Sequence, residues 1–374
     1  MRAGYSNDIK GWTYGTLTGG NSNLLYSGYA ATLVGGHANS VMASYSSITG
    51  GLNNVVFDSY ATVTGGAYNY LSSYMGTITG GRYNSGEGHG VTVLGGYSNY
   101  ATAPHSGIVG GYANVASGYS SFVGGGDQNT AQGSWSTVAG GEVNYAAGHH
   151  STIGAGSLNI ASGYASTISG GYSNLASGSK STVGGGWYNT ASGAQATVGS
   201  GQSNRALAGY ASIMGGKSNL AAGYASTIMG GDQNSAHGSW SVIRGGAGHI
   251  ITDDGSYSTV GGGLSNYVAS DYSSIIGGRS NSILNTGRAN AIGGGYANVV
   301  YGYSNVIIGG TSNKITGADS FIGGGQSNTA SGTFSSVRGG LSNIAKSYGG
   351  IIQGGSSNVV SGNYGHVGGG YENT

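Results

Sequence analysis

The sequence predicts an all-β fold. It reads as a parallel β-solenoid, or β-roll, with two short strands in each coil of about 15 residues, stacked some 24–25 times into a rod. Three observations lead there. One fifteen-residue sentence fills the chain, its glycine content forbids a helix, and its inward candidates alternate with the period of a strand.

The sentence is plainest between Ser166 and Gly201, where Gly-Gly-x-x-Asn-x-Ala-Ser-Gly-x-x-Ser-Thr-Val-x recurs. With Gly-Gly as positions 1 and 2, position 2 is glycine in all 25 repeats, from Gly4 to Gly370. Position 5 is Asn in 24 of 25, and His249 is the exception. Position 14 is Val, Ile or Leu in all 24 full repeats, from Leu17 to Val367. Three or four glycines in fifteen residues would cost a helix about 1 kcal/mol each.

The elements follow in order. The glycines at positions 1 and 2 supply a turn with positive φ. Positions 5 and 7 then face inward on one strand. A second turn, with glycine at position 9, is also read as a positive-φ turn. Positions 12 and 14 face inward on the second strand. Four repeats are longer: those beginning at Ala3 and Gly19 by one residue, those at Gly245 and Gly277 by two. All the extra residues fall between positions 7 and 12. That places the second turn outside, because an insertion within a strand would reverse its faces. The interior is thin, with Ala at position 7 from Ala101 to Ala236 and larger aliphatics there at both ends. One aliphatic residue per coil does not offset the ordering of fifteen residues, so backbone ladders and stacked Asn amides are expected to hold the coils. The array, 1–374, reads as one continuous domain without caps or linkers. It is expected to be a segment of a longer fibre or one that stacks end to end.

Composition narrows the role. Charged residues are 6%, net charge is +1, and there is no cysteine and a single proline, Pro104. Such a chain has no field to draw nucleic acid or an anionic membrane. No apolar run approaches the roughly 20 residues of a membrane span. Met1 is followed by no leader pattern, so an export signal is expected outside this stretch. Collagen is excluded because glycine does not recur every third residue.

The segments SGYASTISGGYSNLASG and AAGYASTIMGGDQNSAHG resemble the β-roll repeats of trimeric autotransporter adhesin heads and related phage and bacterial tail-fibre-like proteins. Ser226-Thr227-Ile228-Met229-Gly230 and Asn234-Ser235-Ala236-His237-Gly238 occupy comparable places. The repeat here is one residue longer, with Asn where that family tends to have Ser. The resemblance implies a left-handed roll, a homotrimer and an extracellular adhesive or spacer role.

Motifs for chemistry are sparse. Gly215-Gly216-Lys217-Ser218 ends like a phosphate loop, but Ala211 stands where its first glycine is needed. His149-His150 and Asp253-Asp254 lie in outer turns and do not converge on other ligands, so no metal and no cofactor are expected. The expected structural ladder is Asn159, Asn174, Asn189, Asn204 and Asn219 with Ile168, Val183, Val198, Ile213 and Ile228. The candidate surface contacts are Trp135, Tyr164, Tyr210, Tyr224, Trp240 and Tyr272, aromatic residues of the second turn.

The expected function is a non-enzymatic structural or adhesive fibre segment, outside the cell, at a cell surface or on a virion fibre. Its expected partners are its own copies, as a homotrimer or an end-to-end filament, and a glycan or cell-surface receptor. Neither nucleic acid nor membrane insertion is expected. The alternative is an ice-binding solenoid. Position 13 is Thr in 12 of 24 repeats, but a second Thr at position 15 joins it only at Thr16/Thr18, Thr62/Thr64 and Thr77/Thr79. Counted over the chain, such a face is not sustained, and ice binding is not expected.

Overall fold

The structure is a computed structural model that describes residues 4–284 and 287–374. The chain divides into two compact units, Met1–Gly186 and Trp187–Thr374. Each is a parallel β-solenoid, with no helix among the described residues. Its coils contribute strand residues at positions 6–7 and 13–14, and within each unit a pair meets its counterpart one coil on. In the first unit Tyr145–Ala146 pairs with Ile160–Ala161, and Thr152–Ile153 with Thr167–Ile168. In the second, Leu220–Ala221 pairs with Ser235–Ala236, and Thr227–Ile228 with Val242–Ile243. A third contact line runs through position 3, where single residues bridge, as Tyr97 to Tyr112 and Gln202 to Lys217. The first two coils use their extra residue to lengthen the pairing to Asp8–Thr13 against Leu24–Tyr29. Of the longer repeats, Ala3 at the start of the first and Asn285 and Thr286 in the one beginning at Gly277 lie outside the described residues.

Each coil is two versions of one half-coil, seven residues apart. Positions 2, 4, 5 and 7 of the first half correspond to 9, 11, 12 and 14 of the second. Positions 5, 7, 12 and 14 are inward and buried, as Asn159, Ala161, Ser166 and Ile168 show. Positions 4 and 11 both carry left-handed residues, such as Leu158 (φ 58°) and Ala165 (φ 51°). A non-glycine residue in that region costs about 1–2 kcal/mol. The conformation turns its peptide over. Most N–H groups donate to the coil ahead, as Thr152 to the Ser166 carbonyl at 2.9 Å. The left-handed residues donate to the coil behind instead: Leu158 to Glu142 at 3.1 Å and Ala165 to His149 at 2.8 Å. An in-register hydrogen bond at both edges of the turn offsets the backbone strain.

This corrects the reading of the second glycine cluster. Position 2 does take positive φ, as at Gly156 (96°), but position 9 does not in such coils as those of Gly118, Gly133, Gly148 and Gly163, with Gly302 (83°) an exception, and the left-handed residue of that turn is position 11. Glycine is needed at position 9 for room. A Cβ on Gly148 would stand 2.0 Å from the carbonyl oxygen of Gly163 in the next coil.

Candidate functional site

The site-forming features are columns and rows, because one residue per coil recurs at the same place. The inward Asn column comes first. Asn159 is fully buried. Its Nδ2 donates to the Ala155 carbonyl (3.2 Å), to the Gly171 carbonyl one coil ahead (2.9 Å) and to Asn144 Oδ1 one coil behind (3.0 Å). Its Oδ1 accepts the backbone N–H of Asn174 at 3.0 Å. That last bond explains the residue type. The N–H of position 5 follows the left-handed residue, points backward and meets no backbone carbonyl, so the side-chain amide of the previous coil takes the carbonyl's place. The glycine of position 2 belongs to the same device. A Cβ on Gly156 would lie 2.1 Å from the Gly171 carbonyl oxygen and 2.6 Å from Asn159 Nδ2. Asn159 and Asn174 in the first unit, and Asn189, Asn204 and Asn219 in the second, are all buried, as are Ile168 and Val183, and Val198, Ile213 and Ile228.

His249 fills the column by imitation. Its backbone N–H donates to Asn234 Oδ1 at 3.0 Å, and its Nδ1 accepts the Asn266 N–H at 3.1 Å, the place of an Asn Oδ1. Nε2 lies toward the Gly263 carbonyl without reaching a full hydrogen bond. Burial pushes its imidazole below the ordinary histidine pKa. A backbone donor aimed at Nδ1 also requires the neutral ring.

The second turn carries stacked rings outside. In the first unit they run unbroken from Tyr14 through Tyr29, Tyr45 and onward to Trp135, His150 and Tyr164, with centroids 4.9–5.6 Å apart. The ring comes from position 10 in some coils and 11 in others, as Tyr119 and Trp135 do, yet the stack continues. The second unit brings together Tyr210, Tyr224 and Trp240 (5.4 and 5.8 Å), and separately Tyr257 with Tyr272 (5.1 Å). These rings are about half exposed. They meet one another along the column, some face to face, as Trp135 and His150, and many edge to face, as Tyr210 and Tyr224. Each pair adds about 0.5–1.5 kcal/mol between coils.

The remaining motifs do not assemble a reaction centre. Among the described residues no three His, Asp or Glu side chains gather as a metal would require. His150 stacks on Trp135, and Asp253 is open to solvent with His237 Nδ1 3.9 Å away. Lys217 is a position-3 bridge residue between Gln202 and Asp232, and the Gly216 carbonyl accepts from Asn204 and Gln202. Compared with known proteins, no family model matches the chain and no curated protein matches it.

Proposed function

We propose that the chain is a structural fibre segment, a β-solenoid shaft that works outside the cell, at a cell surface or on a virion fibre. One observation carries this reading. The inward amides, hydroxyls and aliphatic groups hold one coil to the next or fill the interior, and what remains for other molecules is outward rows. Several of those rows are apolar. In the first unit Tyr70, Tyr100, Tyr145 and Ile160 stand exposed at position 6. In the second, Met214, Met229, Ile276 and Ile308 stand exposed at position 15. Aligned apolar side chains of this kind favour a lateral partner, and copies of the same chain, as a homotrimer, are the proposed one. The exposed rings of Trp135 and Tyr164, and of Tyr210, Tyr224, Trp240 and Tyr272, are the proposed contacts for a glycan or cell-surface receptor.

Light scattering over a wide concentration range tests the assembly. Three times the chain mass of 36.8 kDa is expected. A single-chain mass that does not change with concentration would reject lateral association.

A further inference from the structure

We propose that the first five coils of the first unit carry a face that binds crystalline ice. This goes beyond the structural role and does not rest on it. Three coils present complete pairs, Thr16/Thr18, Thr62/Thr64 and Thr77/Thr79. The two coils between the first and second pairs present Thr32/Val34 and Ser47/Thr49. Val34 keeps the shape of threonine without its hydroxyl, and Ser47 keeps the hydroxyl without the methyl. A count over the whole chain dilutes this patch, because the outer rank ends with Leu94, Val109 and Gly124.

The structure makes a regular array of these residues. The inner rank is in register from coil to coil: Thr16 opposite Thr32, Thr32 opposite Ser47, Ser47 opposite Thr62, and Thr62 opposite Thr77. The outer rank is held in the same ladder. The N–H groups of Thr18, Val34, Thr49 and Thr64 donate to the carbonyls of Leu33, Ile48, Val63 and Ile78 at 3.0–3.1 Å. The aliphatic residue between the ranks points inward in each coil and is buried, so both ranks share one outward face. The outer rank is exposed and the inner rank is partly so. The repeats are about 4.8 Å from coil to coil and about 6.7 Å between ranks.

The chemistry of the face selects its occupant. No charged residue stands at positions 13 or 15 anywhere among the described residues of the first unit. Phosphates and ionic minerals therefore have nothing to pair with. At positions 13 and 15 the five coils present none of the Trp, Tyr or Arg anchors on which protein partners depend. What remains is a rigid array of hydroxyls and methyls, periodic in two directions. It fits a neutral, periodic, hydrogen-bonded solid, and its spacings lie near oxygen repeats of hexagonal ice. Because the backbone ladder already fixes the array, little ordering is left to offset on binding.

The test uses the full chain, reading thermal hysteresis, crystal shaping and inhibition of ice recrystallisation. The unsubstituted protein is expected to shape ice crystals. Thr64→Tyr with Thr79→Tyr should abolish the shaping with the unfolding midpoint unchanged, since both side chains point outward. Thr167→Tyr, where the outer rank is Ser169, should leave it intact. Val34→Thr with Ser47→Thr should strengthen it. The proposal is overturned if the full chain leaves ice unshaped, if the double Tyr variant stays active, or if Thr167→Tyr is equally damaging. Capture on crystalline cellulose that the double Tyr variant loses, with ice left unshaped, would also overturn it and assign the face to a polysaccharide. None of these readings depends on the oligomeric mass.

Discussion

Position 12 is buried and polar in the coils from Ser136 to Ser181 of the first unit and from Ser258 to Ser335 of the second, yet it does different things in the two stretches. In the first unit the hydroxyls of Ser136, Ser151, Ser166 and Ser181 have no hydrogen-bond partner. In the second, Ser258, Ser273, Asn290, Asn305, Ser320 and Ser335 form a ladder in which the side-chain oxygens of the first five accept the next coil's backbone N–H, at 2.8–3.2 Å. The turn before them decides. In the stretch from Ser136 to Ser181 the position-12 N–H is satisfied inside its own coil, as Ser166 to the Gly163 carbonyl (3.2 Å) and Ser181 to that of Gly178 (3.1 Å). In the second unit Ser226 and Ser241 keep that internal bond, to the Gly223 and Gly238 carbonyls at 3.1 and 3.3 Å, and their hydroxyls are likewise unpartnered; from Ser273 to Ser335 it gives way to the neighbour's side chain. Where Asn305 occupies the position, Gly302 takes φ 83°, and Asn305 Nδ2 donates to the Gly317 carbonyl at 2.8 Å and the Tyr301 carbonyl at 2.6 Å. The second half-coil has become a copy of the first. An inward polar column is therefore required only where the turn leaves a backbone N–H without an acceptor of its own.

The comparison can be broken at several places, with effects of decreasing size. Gly156→Ala is expected to be the most damaging, at about 4 kcal/mol or more in urea unfolding, because its Cβ meets a backbone carbonyl that cannot retreat. Asn159→Leu should cost about 3 kcal/mol, since it strands the Asn174 N–H in a dry interior. A cost below about 1 kcal/mol would mean that the amide is dispensable. His249 makes stability depend on pH. The unfolded ring takes up a proton as pH falls through its ordinary value of 6.5, while the folded ring resists until lower pH. Stability is thus complete above that value and declines below it, and His249→Asn should flatten the decline. Ser166→Ala is the smallest effect, neutral or stabilising by up to about 1 kcal/mol, because it removes a buried hydroxyl that bonds to nothing. Ala196 and Ala211 already stand at this position in other coils.

The period and the alternation of buried positions made the coil legible, because each rests on side-chain size repeated many times. The left-handed residues were not legible. Positions 4 and 11 hold Ser, Tyr, Ala, Lys and Gln, with no glycine signature, because the conformation is set by the neighbouring coil's carbonyl. The position-3 bridge line was missed because it is one residue wide and has no period of its own. Asn290 and Asn305 were not singled out, and for Asn290 the two extra residues in the coil from Gly277 blur the register. Of the candidate contacts, the aromatic bias near position 11 was visible. Their continuous stacking was not, because the rings alternate between positions 10 and 11.

Amide hydrogen exchange in two alanine variants tests the central claim most directly. The Ser320 N–H depends on Asn305 Oδ1 at 2.8 Å, whereas the Ser181 N–H depends on the Gly178 carbonyl of its own coil. Asn305→Ala should sharply reduce protection of the Ser320 amide, while Ser166→Ala should leave the Ser181 amide as protected as before. Equal losses at both amides, or no loss at Ser320, would contradict the account.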